Sequence, residues 1–381
     1  MSRRVEIVGA GFSGLASACA LRMRGWDVRV HERSTELRAS GAGIYLYENG
    51  LRVLETFGAL DRITRGARPA PIREIRDQQD RLISTHKWDD SVRVYCVARQ
   101  LLIDSLAESA RQLGCEIVTS SEAAGIRPNG ELCFTDGRVI EADLVVAADG
   151  VNSKIRDSLN LLETRRPMLD GAIRVMIDKT KDDLLDGKTI EYWSGSRRVL
   201  YTPCSQKEIY VCLTMLHRDT PATTVPLNKD EWKRSFPNLS TLIDRLGDDC
   251  RYDRFECIQL RRWSHDNVAV LGDAAHALPP NIGQGAGCGM MNALSMSIYL
   301  DRYQSVREAL GEWERRERPL TDHTQRVSVI LGLPTNWPSP LRALFFRLVA
   351  RSRWASAQRT RTARHRPLGS IGSTSASLRV H

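Results

Sequence analysis

Residues 5–15 read Val5-Glu6-Ile7-Val8-Gly9-Ala10-Gly11-Phe12-Ser13-Gly14-Leu15, and the fold turns on this stretch. Four strand-forming residues run into a Gly-x-Gly-x-x-Gly loop. The small and apolar spacing from Leu15 to Arg24 predicts a helix, Gly25 stops it, and Val28-Arg29-Val30-His31-Glu32 is the next strand. The first glycine permits a tight turn, the second lets a diphosphate approach the backbone, and the third lets helix and strand touch. Free amides and the positive end of the helix dipole hold the anion there. Glu32 follows Gly14 by 18 residues, where an acid accepts hydrogen bonds from ribose hydroxyls. A generic α/β turn has the same glycines, but strand, helix and acid in register point to dinucleotide binding.

Working outward, a second helix–strand passage runs from Arg99 to Ile117, closed by Gly114, and 132–149 reads as a hairpin turning at Asp136-Gly137. That hairpin feeds the apolar strand Leu144-Val145-Val146-Ala147-Ala148. From about 160 to 260 the pattern alternates, as in Thr189-Ile190-Glu191-Tyr192-Trp193, and predicts half-exposed antiparallel strands. Ile72 to Trp88 and Val92 to Val97 are expected in the same sheet. The parallel pattern returns at Val268-Ala269-Val270-Leu271, with helices from about Gly285, over 307–331 and over roughly 340–358. Thr360 to His381 is rich in Ser, Arg and Gly and predicts a disordered, dispensable tail. The fold class is therefore α/β: a Rossmann-like dinucleotide-binding domain (1–68, 98–158, 259–322), an inserted antiparallel-sheet substrate domain (69–97, 159–258), C-terminal helices (323–358) and a basic tail (359–381).

With 381 residues and 42% hydrophobic content the chain has ample core material, which excludes a fibre or a disordered protein. Net charge is +9, yet after Asp322 there is no acid and ten Arg follow. The first 322 residues thus carry 45 basic against 46 acidic groups, and a neutral body argues against nucleic-acid binding. Nine cysteines are scattered without a CxxC pair, so they read as small apolar side chains in a reducing compartment, with no metal site. No apolar run reaches about 18 residues, and no signal-peptide pattern opens the chain. The expectation is a cytoplasmic protein without a membrane partner.

Two further motifs follow apolar strands: Ala148-Asp149-Gly150-Val151-Asn152-Ser153-Lys154, and Leu271-Gly272-Asp273-Ala274-Ala275-His276 running into Gly283-Gln284-Gly285-Ala286-Gly287. An Asp at the carboxyl end of a sheet strand points into the ligand crevice of α/β proteins; each Asp-Gly alone is also an ordinary turn. In this order, with Arg38-x-x-Gly41-x-Gly43-Ile44 and Arg99-x-x-Leu102-x-x-x-Leu106, the chain resembles the class A FAD-dependent aromatic hydroxylases over residues 1 to about 325. Glu36-Leu37-Arg38-Ala39, Gly41 to Leu46 and Gln284 to Cys288 are similar to the pyridine-ring oxygenases among them, as is Asn292 where most of the family carries an acid.

The resemblance implies a GR2-type FAD-binding domain and non-covalent FAD. It also implies NADH or NADPH as a transient reductant, dioxygen as co-substrate, and ring hydroxylation through a flavin C4a-hydroperoxide, with or without ring opening. The implied cofactor set is Gly9, Gly11, Phe12, Ser13, Gly14, Glu32, Arg33, Arg38, Tyr45, Arg99, Asp149, Gly150, Asp273, Gln284, Gly285, Ala286 and Gly287. Within it Asp273 would hold the ribityl chain and Arg99 the diphosphate–ribose region. A helix beginning at 285 would offer its positive end to charge developing on reduced flavin. A small hydroxylated aromatic or pyridine carboxylate would meet Arg174, Arg198, Tyr45, Arg73 and Tyr210, with Tyr210 the catalytic candidate. A guanidinium fork suits the carboxylate, though Arg198 beside Arg197 also fits a solvated strand end and Tyr210 a half-buried sheet tyrosine. His276 reads as a packing residue. Arg73 replaces a tyrosine of the pyridine-ring enzymes and favours a more anionic compound. A flavin dehydrogenase or reductase without oxygen insertion, or a flavin-binding protein without turnover, stays open, as does a homo-oligomer.

Overall fold

The structure, a computed structural model, describes residues 2–38, 42–127, 130–181, 183 and 187–372; Ala39 and Gly41 of the motifs lie outside the described residues. Arg4–Val8 sits inside a six-stranded sheet ordered Ser264–His265, Val268–Val270, Leu144–Ala147, Arg4–Val8, Asp27–His31, Glu116–Val118. All pairs are parallel except at the Ser264–His265 edge. Helix Phe12–Arg22 packs on it, and Arg99–Gln112 and Gly285–Arg302 pack against that helix; the neighbouring strands Leu144–Ala147 and Val268–Val270 are unbroken apolar runs. The carboxyl ends of three neighbouring strands release Gly9, Ala148 and Leu271 along one edge, where open α/β sheets bind ligands.

A second, seven-stranded sheet is ordered Tyr252–Leu260, Leu162–Asp178, Glu208–Leu216, Arg197–Pro203, Lys188–Ser194, Ile72–Asp77, Leu82–Lys87. It is antiparallel except where Lys188–Ser194 meets Ile72–Asp77. Period-two alternation sorts its faces. Ile173, Val175, Val199, Val211 and Leu213 form one apolar face beneath Trp232, Phe236 and Ile243. The opposite phase carries Arg174, Glu191, Arg198, Tyr210 and Cys212, and it lines a cleft with the ligand edge of the first sheet. The alternation read as half-exposed strands is thus a cleft wall rather than a solvated surface.

Two expectations are corrected. Val94–Ala98 does not join the seven-stranded sheet but pairs with Gly43–Tyr47, because Val97 and Leu46 are buried in the core of the first layer. The segment read as a disordered tail is folded as far as residue 372. Arg353–Thr360 is helical, Ala363 packs with Trp88, Val92 and Val94, and Thr362 Oγ1 meets Thr324 Oγ1 at 2.6 Å. Arg364 pairs with Asp89 at 2.6 Å, and Asn49 N donates to Ala363 O at 3.2 Å. Polar residues that composition marks as unable to build a core instead find partners on both layers. Residues 373–381 of the expected tail lie outside the described residues. The helix expected over 340–358 breaks at Ser352, whose hydroxyl accepts from Ala355 N and caps the next helix. Seven of the nine cysteines are buried and all nine are free thiols. No helix among the described residues is long and apolar enough to cross a membrane.

Candidate active site

A cleft of about 460 Å³ separates the two layers. Its first half is built by the loops at the strand ends. Gly9 adopts φ +100°, and a Cβ on Gly14 would strike the Gly9 carbonyl, so the loop closes only with these glycines. Gly11, by contrast, has open space and lines the cleft at the start of Phe12–Arg22, which leaves its backbone accessible to a diphosphate. Phe12, Ser13, Arg38, Arg99, Gly150, Asp273, Gly285 and Ala286 complete this half.

Several predicted cofactor residues act from behind the wall. Both Glu32 oxygens are taken by backbone amides, Ala10 N at 3.0 Å and Ser34 N at 3.0 Å, so Glu32 clamps the glycine loop. Asp149 accepts from Lys154 N at 2.9 Å and holds the turn that presents Gly150. Gln284 is buried against Asn49 Nδ2 at 3.0 Å, Gly287 packs beside the same two side chains, and Arg33 is exposed outside the cleft. His276 is a packing residue: it is buried on Asn292 Nδ2 at 3.2 Å, and burial pushes its imidazole down to about 4. Arg99 stacks over Phe12 at 5.0 Å, and its Nε, like Asp149 Oδ1, is buried without a partner among the described residues. Burial and Arg174 lower the Arg99 guanidinium, while burial raises Asp273 against the pull of Arg99 and Arg174. An open glycine loop, an unpartnered guanidinium N–H and a carboxylate facing one cleft fit FAD.

The second half is the polar face of the larger sheet. Tyr45 and Tyr210 meet edge to face, with centroids 6.4 Å apart. Burial, then Cys212, raise the Tyr210 phenol well above its ordinary value despite Arg174, so it stays a hydroxyl at neutral pH. It can hydrogen-bond and orient a ring but is a poor base. The three predicted arginines do line the cleft, yet none is free. Arg198 reaches Asp170 Oδ2 at 3.0 Å, Asn281 Oδ1 at 3.2 Å and Glu191 at 3.7 Å, and lies over Trp193 at 4.9 Å. Arg73 pairs with the other Glu191 oxygen, and Arg174 with Asp253 at 3.4 Å over Phe255. Burial alone would raise Glu191; Arg73 and Arg198 outweigh it and keep the carboxylate charged.

Residues 2–305 match the family model described as FAD binding domain. The chain belongs to this family, the class A flavin hydroxylases, which are FAD-dependent aromatic monooxygenases consuming NAD(P)H and dioxygen. Among its relatives is a putative 2-heptyl-3-hydroxy-4(1H)-quinolone synthase of Rhodococcus erythropolis, 40% identical over 96% of this chain and 97% of that protein. The tetrameric form of 2-methyl-3-hydroxypyridine-5-carboxylic acid oxygenase superposes with a TM-score of 0.87 at 38% identity, covering 97% of this chain and 98% of that one. The 6-hydroxynicotinate 3-monooxygenase of Bordetella bronchiseptica is 25% identical over 85% of this chain and 90% of its own length.

Sequence reasoning missed the carboxylates that neutralise the wall and the residues from distant elements that close it. Glu191 stood in a quoted alternating stretch, in phase with Thr189, and that phase was its signal. Asp170, Asp253 and Asn281 meet the arginines only through strand register and loop placement. Tyr47, Trp88 and Arg359 line the cleft with no local pattern to mark them.

Proposed function

We propose that this monooxygenase hydroxylates a small nitrogen-containing aromatic ring that already bears an oxygen substituent, with or without ring opening. The observation that carries this reading is the wall opposite the flavin loops: Tyr45 and the protonated Tyr210 beside Arg174, a slot for a flat ring with one hydroxyl donor. Bound FAD supplies the oxygen-activating and hydride-accepting chemistry; Gly11, Arg99, Asp273, Gly285 and Ala286 would hold it. The chain's own residues orient the ring and keep water out. Tyr210 donates to the ring oxygen, and the amide end of Gly285–Arg302 favours negative charge beside Gly285 and Ala286. The named relatives are a putative synthase of a hydroxyquinolone, an oxygenase of a hydroxypyridine carboxylate and a monooxygenase of a hydroxynicotinate, rings that share this chemistry. A side pocket beside Trp193 and Phe346 has only about 50 Å³, room for a few water-sized groups, which favours a compact ring over one with a long alkyl chain.

The test is to supply the holoenzyme with NADH or NADPH and 6-hydroxynicotinate, 2-methyl-3-hydroxypyridine-5-carboxylate or 2-heptyl-4-quinolone. Ring-dependent reductant oxidation, matched oxygen uptake and a product gaining oxygen support the reading. Reductant oxidation without oxygen incorporation into any ring overturns it. We place the enzyme in the cytoplasm, as its nine free thiols favour, and as an assembly of copies. Leu341, Leu344 and Leu348 are all more than half exposed along one face of Ser339–Arg351, and sedimentation of a Leu344→Glu variant tests whether that face is the contact.

A further inference from the structure

The geometry points to Arg359, flanked by Arg73, as an anion subsite of this cleft: the ring ligand carries negative charge, and it lands on the Arg359 guanidinium. This rests on the ring-hydroxylase reading and adds the charge of the ligand. Arg359 comes from the C-terminal helix Arg353–Thr360, remote in sequence from every motif, and it lines both the main cleft and the side pocket. Its placement is built on both sides. His323 Nε2 lies 3.0 Å from Gln358 O, Thr360 Oγ1 donates to Ser356 O at 2.9 Å, and Arg364 is tied to Asp89.

Ion pairing along the wall shows which cation of the cleft is left unpaired. Around Arg359 the cleft presents Arg73, Arg198 and Arg359 against two carboxylates, Glu191 and Asp170; Arg342 shares the Trp193 ring with Arg198 but lines neither cavity and donates to Gly195 O and Ser339 Oγ. Asp170 bonds Arg198, and Glu191 divides its two oxygens between Arg73 and Arg198. Arg359 makes no hydrogen bond or ion pair among the described residues, so its charge faces the cleft without a partner. His86, beside this cluster, is held neutral near 4 by burial, Arg359 and Arg73, so it adds none. Burial, then the neighbouring Arg73, lower Arg359 to about 10 against the smaller pull of Tyr47 and Glu191. A guanidinium in a partly dry cleft is poorly compensated until an oxyanion enters, and its fork suits a carboxylate or an ionised ring hydroxyl alike. Arg73, Arg174 and Arg198 all hold carboxylates already, so Arg359 is the anchor and Arg73 a flanking charge.

The experiment titrates holoenzyme, read by flavin absorbance, with three rings: 6-hydroxynicotinate, its neutral amide, and 3-hydroxy-4-quinolone, which is anionic only through its ring oxygen. Arg359→Met should weaken the anionic ring that the parent binds by about ten- to hundredfold, the worth of a charge-assisted contact. It should leave the amide's Kd and FAD retention unchanged. Arg359→Lys should recover part of the loss. Loss confined to the nicotinate assigns the subsite to a carboxylate, and loss confined to the quinolone assigns it to an ionised hydroxyl. Equal weakening of charged and neutral rings, no weakening, or a parent that binds neither anion overturns the inference. A parent that binds the anions through Arg359 yet oxygenates no ring keeps the subsite and sinks the proposed reaction.

Discussion

Asp273 and Arg198 show how the same kind of buried charge serves two ends. Asp273 faces the cleft with only arginines for company, so its carboxylate is available to ribityl hydroxyls. Asp273→Ala removes a charge-assisted hydrogen bond of about 1.5–3 kcal/mol, and flavin-fluorescence titration should show FAD bound about ten- to hundredfold more weakly; unchanged retention would remove Asp273 from the cofactor site. Arg198 instead belongs to the wall. Arg198→Met strands Asp170 in a buried setting and should cost about 3–5 kcal/mol of stability, whereas Arg198→Met with Asp170→Asn should cost clearly less. Equal denaturant midpoints for single and double variants would refute the pairing. That contrast also marks what the sequence could say about the site. Period-two spacing put Arg174, Arg198 and Tyr210 on one face, but their neutralising acids are matched across strands, and register is invisible to a local pattern.

The elements that local spacing specifies are the ones that form as expected. The opening strand–loop–helix, the hairpin at Asp136-Gly137 and the helix starting at Arg99 each depend on residues within one short window. Val94–Ala98 failed because a short apolar strand fits any open edge, and the choice fell to the core that Val97 and Leu46 share. The segment from 360 to 372 failed for a different reason: a polar composition forbids a private core but not docking on one supplied by others. Ala363 covers Trp88, Val92 and Val94, and Ile371 N reaches Thr56 Oγ1 at 3.2 Å. Truncation after Ser352 should therefore uncover those side chains, at about 1.5–3 kcal/mol for each one fully exposed. The expected outcome is a lower urea midpoint and loss of tight ring binding, with FAD still bound through the untouched loops. A truncated enzyme that unfolds and turns over like the parent would return this segment to the status of a dispensable tail.

At the scale of the whole molecule, groups that burial holds uncharged contribute to how stability varies with pH. Glu317 lies on Val306–Gly332 against the buried helix Gly285–Arg302, where burial pushes its carboxyl up to about 7 with only Ser295 opposing. His276, under the ribityl loop, is pushed down to about 4. The two act in opposite directions. Between its unfolded value of about 4.5 and its native value of about 7, Glu317 keeps a proton that the unfolded chain releases, so this group's contribution falls as pH rises. Between about 4 and 6.5 the unfolded chain binds a proton that native His276 refuses, so its contribution rises with pH. Above about 6.5 the histidine has nothing further to add, and Glu317 alone of this pair still acts. Glu317→Gln keeps the shape and removes the titration. With FAD saturating, the stability of Glu317→Gln relative to the parent should climb between pH 4.5 and 7 and then level off. The total change is about 3 kcal/mol in the variant's favour, since one pKa unit is worth about 1.36 kcal/mol. Urea midpoints taken every half unit from pH 5 to 8 measure the gap. Parallel profiles for variant and parent would mean that Glu317 is ionised in the folded protein and that its helix pairing tolerates a buried charge.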